Sequence, residues 1–186
     1  MQALCGPLRE LAEFEEICKK KMECPGMIRI LGCTGSQKSH MMYALSDGCR
    51  YKVIACSSES KAKQVYEEYR FLSRDVYLYP AKDLLFYQAD LRSKELVKQR
   101  MEVIEAVLLK DSAVIVTSFD AFMDGLLPRE EIERRVIRIG GEDTIDLALL
   151  ETRLADIGYD REIQVEGPGQ FAVRGGILDI YPLTKE

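Results

Sequence analysis

The sequence predicts an α/β domain followed by a smaller α+β domain with an antiparallel sheet. Over residues 1–126, four short apolar runs rich in β-formers alternate with helical segments. This order is typical of a parallel sheet covered by helices on both faces. The pattern changes near Pro128, after which one helical segment is followed by alternating apolar residues and glycine-rich turns. We therefore assign residues 1–126 to the first domain and residues 127–186 to the second.

The first domain begins with a helical segment, Leu8–Met22, whose apolar residues recur at helical spacing and whose end is basic. The predicted strands are the four apolar runs Met27–Leu31, Tyr51–Cys56, Val76–Tyr79 and Ala113–Thr117. The predicted helices between them are Ser39–Leu45, Lys61–Leu72 and Arg92–Lys110. The last helix is the clearest, because its apolar side chains fall on one face.

The second domain is predicted to open with a strand over Arg135–Ile139. A helix follows, marked by the apolar residues Leu147, Leu150, Leu154 and Ile157. Gly158 stands directly after this pattern, where a glycine commonly ends a helix. Ile177–Tyr181 is predicted to be the last strand.

A β-hairpin is predicted between that helix and the last strand, with its turn at Gly167-Pro168-Gly169. A three-residue turn gathers the apolar side chains on one face, by pairing Ile163 with Val173 and Val165 with Phe171. The same register places Glu162 opposite Arg174 on the polar face.

The charge distribution and the residue composition argue against several classes of function. Residues 1–126 carry 18 basic and 18 acidic side chains, whereas residues 127–186 carry 8 and 13, so the second domain holds the whole net charge of −5. A dedicated nucleic-acid module usually shows the opposite bias. No apolar run is long enough to span a membrane, and the N-terminus does not resemble a secretory signal. Six cysteines without a C-x-x-C pair, a single histidine and no tryptophan predict a cytoplasmic protein without a metal site.

The segment Gly32–Ser39 is similar to a phosphate-binding loop, since it joins a predicted strand to a predicted helix. The pattern G-x-x-x-x-G-K-[ST] is met at Gly32, Lys38 and Ser39, and Gly35 adds flexibility, but Gln37 replaces the second required glycine. A side chain at that position opposes the close wrapping of backbone amides around phosphate. The apolar runs also lack a terminal Asp-Glu pair, which hydrolysis would need for metal and water. Lys38 could still neutralise a phosphate and Ser39 could still hold Mg²⁺.

Other candidate groups have simpler structural interpretations. His40 stands alone and is expected to be a helix residue. The tyrosines Tyr66, Tyr69, Tyr77 and Tyr79 could stack on bases, although packing in a helix and a strand explains them as well. Cys33 could be a reactive thiol at a helix N-terminus, but no catalytic base accompanies it.

Five stretches carry a family resemblance when they are taken in order. They are Gly32–Ser39, Tyr77–Pro80, Glu95–Arg100, Val114–Thr117 and Val173–Pro182. Together they resemble the N-terminal region of the bacterial transcription-repair coupling factors (Mfd), which is similar to UvrB of the excision nuclease. The most specific stretch reads Val-Arg-Gly-Gly-Ile-Leu-Asp-Ile-Tyr-Pro. Gln37 and the short segment Ala81–Asp90, without the aromatic run of UvrB, favour the coupling factors over UvrB itself.

The resemblance implies a RecA-like first domain and a second domain similar to the UvrA-docking domain of UvrB. It implies UvrA as the partner, with Arg161, Arg174 and Tyr181 as contact residues, and no catalytic residue, metal or cofactor in this chain. A longer family member would also engage RNA polymerase and double-stranded DNA, using ATP and Mg²⁺ in a motor outside these residues. The chain is accordingly expected to be a fragment that stops near the core of its second domain. The alternative is a UvrB-like protein that binds nucleotide or DNA through its phosphate loop.

Overall fold

A computed structural model of the protein describes residues 2–23, 26–82 and 90–184. In chain order, its elements are α1 (Gln2–Arg9), α2 (Ala12–Glu23), α3 (Gln37–Leu45), β1 (Tyr51–Cys56), α4 (Glu59–Arg70), β2 (Val76–Tyr79), α5 (Asp90–Leu109), β3 (Ala113–Ser118), α6 (Phe119–Met123), α7 (Arg129–Arg135), α8 (Leu147–Asp156), β4 (Asp160–Arg161), β5 (Gln170–Arg174) and β6 (Ile177–Tyr181). Residues 83–89, within the segment expected to lack an aromatic hairpin, lie outside the described residues.

The chain divides into two compact units. The first comprises Met1–Ala81 and Glu102–Phe122, and the second comprises Lys82–Met101 and Met123–Glu186. The boundary between residues 126 and 127 stays a prediction.

A three-stranded parallel sheet in the order β1-β3-β2 organises the first unit. The central strand β3 pairs with β1 from Ala113 opposite Tyr51 to Ser118 opposite Cys56. It pairs with β2 on its other side, where Val116 lies opposite Leu78. These pairings confirm the predicted strands over 51–56, 76–79 and 113–117, and the α/β class of this unit.

Helix α4 packs on one face of this sheet because its apolar residues recur at helical spacing. Ala62, Val65 and Tyr69 are buried against apolar side chains of β2 and β3. The helix begins at a standard cap, since the Ser58 hydroxyl accepts a hydrogen bond from the backbone N–H of Lys61 (3.3 Å). The other face carries a second cluster, in which Tyr79 contacts Val103 and Ala121. Helices therefore cover both faces, as expected for a parallel sheet.

Two predictions for the start of the chain are wrong. The predicted single helix Leu8–Met22 is two helices, α1 and α2, and this break lets Cys5 and Phe14 share a cluster with Ala44. The run Met27–Leu31 forms no strand, because none of its residues pairs with the sheet. Its apolar side chains stay accessible, with Met27 98% and Leu31 79% exposed.

The second unit is organised by helix α8 and a small sheet in the order β4-β5-β6. Leu150 and Leu154 of α8 are buried against Phe171 of β5. The Asp146 carboxylate caps the start of α8 by accepting hydrogen bonds from two backbone N–H groups. Gly158 ends the helix in a left-handed conformation (φ 96°), which confirms the predicted cap.

The strand predicted over Arg135–Ile139 is wrong. Helix α7 extends to Arg135, Val136 is extended, and residues 136–140 belong to no helix or strand. Ile137 nevertheless packs against the cluster around Leu150. The apolar alternation that suggested a strand thus reflects packing on a helix rather than pairing in a sheet.

The predicted hairpin is also wrong in its turn and in its pairing. β5 pairs antiparallel with β6, and Arg174 lies opposite Ile177 across the two-residue turn Gly175-Gly176. Both turn glycines have positive φ (55° and 87°), which side chains other than glycine rarely adopt and which suits the twist of a hairpin. β4 pairs with β5 in parallel, with Arg161 aligned to Phe171, so the small sheet is mixed rather than antiparallel. The chain around Gly167-Pro168-Gly169 is a connection between these parallel strands.

Candidate partner-binding surface

The segment Gly32–Ser39 leads into α3 as expected, and Gln37, Lys38 and Ser39 form the first turn of that helix. The Gln37 side chain bonds to the backbone of the same segment. Gly32 and Gly35 have positive φ (90° and 52°). The carboxamide oxygen of Gln37 accepts hydrogen bonds from the backbone N–H of Thr34 (3.1 Å) and from the Thr34 hydroxyl (3.3 Å). The residue that replaces the required glycine therefore takes a donor that a phosphate-binding loop would direct at its ligand.

Ser39 is committed to an internal contact as well. Its side chain is buried, and its hydroxyl donates a hydrogen bond to Glu68 Oε2 of α4 (2.6 Å). Glu68 Oε1 accepts a second bond from Gln64 (2.9 Å). These bonds, the one from Ser39 first, lower the pKa of the Glu68 carboxyl. Lys38 is exposed. The hydroxyl expected to hold Mg²⁺ thus joins α3 to α4.

Internal hydrogen bonds also close the carboxyl end of the sheet. Glu59, at the start of α4, accepts hydrogen bonds from the Ser118 hydroxyl and from the backbone N–H of Ala81 (3.0 Å). The Ser118 hydroxyl in turn accepts a bond from the backbone N–H of Ala121 (3.1 Å). In the described part of the chain, no group of three or more His, Cys, Asp or Glu side chains is suited to hold a metal ion.

Substituting Glu68 by Gln should reduce stability in a pH-dependent manner. We expect the variant to lose about 1 kcal/mol of unfolding free energy at neutral pH, because the bond from Ser39 is no longer charge-assisted. A lowered carboxyl pKa stabilises the fold fully above the ordinary value of 4.5 and loses this effect as the pH falls through the folded-state value. The difference between wild type and variant should therefore shrink in acid.

Urea unfolding at neutral pH and at about pH 3 measures this difference. Glu67→Gln is the matched control, because Glu67 contacts only the exposed Arg70 side chain (3.5 Å) among the ion pairs of the described residues. An equal difference at both pH values would contradict the assigned role of Glu68.

Arg174 and Tyr181 lie on the same face of the β5–β6 hairpin. Side chains alternate along a strand, and the buried cluster takes Phe171 and Val173 of β5 with their partners in β6. Arg174 lies on the opposite face, termed the outer face, on which Ala172 is buried. Tyr181, which pairs with Gln170 at the far end, lies on the same face. The two residues are about 13 Å apart along the strand direction, given four residues of rise. The Arg174 side chain is exposed and Tyr181 is partly buried.

The ion-pair partner of Arg174 is Asp179, with 2.7 Å between Nη2 and Oδ2. The prediction that Glu162 pairs with Arg174 is wrong, because Glu162 lies beside β5 through a bond from its backbone N–H to the carbonyl of Phe171 (2.8 Å). Asp179 could have been found from sequence, since Gly175-Gly176 is one of the two-residue pairs that indicate a hairpin turn. That turn brings Arg174 diagonally close to Asp179.

Arg161 occupies a different part of the same sheet. It lies on the edge strand β4, aligned with Phe171, and its guanidinium approaches Glu151 of α8 (3.2 Å). Arg161 therefore lies on the face of the sheet that α8 covers, whereas Arg174 lies on the outer face. A partner that contacts both arginines has to reach around the β4 edge. No sequence pattern indicated Glu151, because its contact depends on the packing of α8.

Both arginines remain able to bind a partner. Each is more than half exposed and, among the residues that the structure describes, forms one ion pair. A guanidinium has five N–H donors, so one contact leaves donors for a second carboxylate. Exposed pairs of this kind contribute only about 0.2–1 kcal/mol to stability, so they hold the side chains loosely.

The remaining candidates are explained by packing. Tyr69 and Tyr79 are buried in the two clusters of the first unit. Tyr66 lies under the guanidinium of Arg70, 5.4 Å from its carbon to the ring centre. His40 lies within α3 and is partly buried, as is Cys33 in the preceding loop.

Comparison with known proteins relates this chain to a family. The family model described as the UvrB interaction domain matches residues 137–186. The transcription-repair-coupling factor of Bacillus subtilis (strain 168) is 30% identical over 184 residues, which cover 96% of this chain and 16% of that protein. The chain is related to the N-terminal region of the transcription-repair coupling factors.

Two further relatives in this family agree with that assignment. The transcription-repair-coupling factor of Staphylococcus epidermidis (strain ATCC 12228 / FDA PCI 1200) is 29% identical over 111 residues, covering 59% of this chain and 9% of the relative. The transcription-repair-coupling factor of Staphylococcus aureus (strain NCTC 8325 / PS 47) is 26% identical over 114 residues, which cover 61% of this chain and 10% of the relative. The chain thus spans a small part of the length of the coupling factors it matches.

The match to the UvrB interaction domain covers α8 and all three strands of the second unit, and with them Arg161, Arg174 and Tyr181. The family relationship supports a role as part of a transcription-repair coupling factor. Among the described residues, no helix combines the length and apolar character needed to cross a bilayer.

Proposed function

We propose that this chain is a non-catalytic module that recruits UvrA to sites where RNA polymerase has stalled. The observation that carries the proposal is the match of the UvrB interaction domain to the second unit, whose outer hairpin face presents Arg174. Arginine and aromatic residues are frequent in binding hot spots, and Arg174 shares one face of the hairpin with Tyr181. The arginines stand out because the surrounding segment is acidic, so the partner surface should offer carboxylates.

In this proposal the first unit binds no nucleotide and does not contact UvrA through the named residues. Its parallel sheet is compatible with a RecA-like domain, and the contacts of Gln37 and Ser39 favour a loop that has lost its ligand. In a longer coupling factor, we propose that a motor outside these residues uses ATP and Mg²⁺ to move on double-stranded DNA and displace the polymerase. The recruitment of UvrA would be the contribution of the present residues, in the cytoplasm.

Calorimetric titration of the chain with purified UvrA tests the recruiting role. We expect saturable binding that weakens as salt is raised, because charged side chains form the contact. Absence of binding by a chain whose circular dichroism shows a folded state would contradict the proposal.

The alternative, nucleotide binding at the loop before α3, rests on the presence of Lys38 and Ser39. We expect titration with ATP and Mg²⁺ to give no saturable binding at millimolar nucleotide, since the Thr34 amide and the Ser39 hydroxyl are already engaged. Lys38→Ala is the comparison variant, because Lys38 is the exposed cation of the loop. Saturable ATP binding that Lys38→Ala removes would favour the alternative.

A further inference from the structure

Two exposed isoleucines accompany the two arginines of the second unit. Ile163 is 90% exposed and follows Arg161 by two residues. Ile177 is 65% exposed and lies directly opposite Arg174 in the hairpin. Single exposed apolar side chains need no explanation, but one of these follows Arg161 closely in the sequence and the other lies opposite Arg174 in the sheet.

The fold does not depend on Ile163. The connection from β4 to β5 is held by the Gln170 carboxamide oxygen, which accepts hydrogen bonds from the backbone N–H groups of Glu166 (2.8 Å) and Gly167 (2.9 Å). The backbone N–H of Glu162 also donates to the Phe171 carbonyl. These bonds fix the course of the chain on both sides of Ile163 without burying its side chain.

Ile177 is likewise outside the packed interior. Leu178 and Ile180 of β6 pack against the buried cluster. Because side chains alternate between the two faces of a strand, Ile177 lies on the outer face. There it shares a face with Arg174 and Tyr181. The hairpin turn is specified by Gly175 and Gly176, which have the positive φ that the turn requires.

We propose that Ile163 and Ile177 are apolar contact residues through which UvrA binds beside Arg161 and Arg174. This inference rests on the proposed function and deepens it. The partner surface it requires carries carboxylates next to apolar pockets, which matches the positive and apolar groups presented here. An apolar side chain that is covered on binding shields the neighbouring ion pair from water and strengthens it. Each isoleucine therefore contributes by burial and by protecting its arginine.

The test uses Ile163→Thr and Ile177→Thr in the whole chain, singly and together. Threonine keeps the β-branched shape and removes most of the apolar surface. We expect each single variant to weaken the affinity for UvrA about 5- to 20-fold, and the double variant more. The dependence of affinity on salt should change little, because no charge is altered, whereas Arg174→Glu should change it.

Leu149→Gln is the matched control. Leu149 is 61% exposed in the same unit, and it lies about 200° around α8 from Glu151, the partner of Arg161. Suppose that the wild type binds, that Arg174→Glu does not, and that the isoleucine variants bind no more weakly than Leu149→Gln. This result would overturn the inference while the recruiting function stands. Failure of the folded wild type to bind UvrA would overturn both. A dimer of the chain that dissociates in Ile177→Thr, seen by sedimentation, would assign the surface to a second copy and overturn the inference.

Discussion

Reversing the charge of Arg174 should strongly weaken the binding of this chain to UvrA. Arg174→Glu removes a donor from the outer hairpin face and places a carboxylate opposite the acidic partner surface. Charged hot-spot residues commonly contribute 2 kcal/mol or more, so we expect the affinity to fall by at least about 30-fold. The change should appear mainly as faster dissociation in a kinetic binding measurement.

The fold should survive this substitution. The ion pair between Arg174 and Asp179 is exposed on both sides, and such pairs contribute only about 0.2–1 kcal/mol. The double variant Arg174→Glu with Asp179→Arg restores an internal pair of reversed polarity. It should regain that stability without regaining the affinity, which separates recognition from folding.

Arg134→Glu provides the control for net charge. Arg134 is exposed on α7 and paired with Glu131 (2.7 Å), so its reversal changes the charge of the chain by the same amount at another place. We expect it to retain most of the affinity. Equal losses in Arg134→Glu and Arg174→Glu would mean that net charge, rather than the hairpin face, governs binding, and the site assignment would be wrong.

Phe171→Ala should be the most destabilising single substitution in the second unit. Phe171 is 1% exposed and contacts Leu150 and Leu154, so its removal leaves a cavity between α8 and the sheet. Replacing a buried phenylalanine by alanine typically costs about 3–5 kcal/mol. In a small unit this is a large share of the total stability, so a substantial fraction of the unit should unfold.

Urea unfolding combined with hydrogen exchange of peptides covering β5 and β6 measures this effect. Exchange there should accelerate in Phe171→Ala, because the packing between strand and helix is lost. Leu149→Ala, at an exposed position of α8, should change stability by less than about 0.5 kcal/mol. A loss of less than about 1 kcal/mol in Phe171→Ala would show that the cluster is not the core of this unit.

Helices and strands were predicted correctly where the apolar residues had one clear period and the segment had clear start and stop signals. The helices over 59–70, 90–109 and 147–156 and the strands of the parallel sheet agree with prediction. The helices over 59–70 and 147–156 each bury one regular face, so the spacing of their apolar residues predicts their packing. In the helix over 90–109, Val103 and Ala106 are buried, whereas Val97 is 43% exposed. The run Met27–Leu31 failed, because an apolar run forms a strand only when another strand is available to pair with it.

Local reasoning predicted the wrong hairpin turn. A three-residue turn at Gly167-Pro168-Gly169 gave a consistent alternation, but the structure turns at Gly175-Gly176 instead. That turn pairs Phe171 with Ile180 and Val173 with Leu178 against α8. The competing alternation over residues 163–165 does not enter the sheet.

The sequence by itself determined the α/β class of the first unit and the altered phosphate loop, whereas the contact role of the second unit's arginines rests on the family resemblance. It could do so because local spacing and residue identity carry these features. Only the tertiary structure decided that Gln37 and Ser39 are engaged within the chain, that Arg174 and Tyr181 share a face while Arg161 does not, and that Glu151 and Asp179 hold the arginines. These contacts join residues from different elements, and strand register and helix packing bring them together.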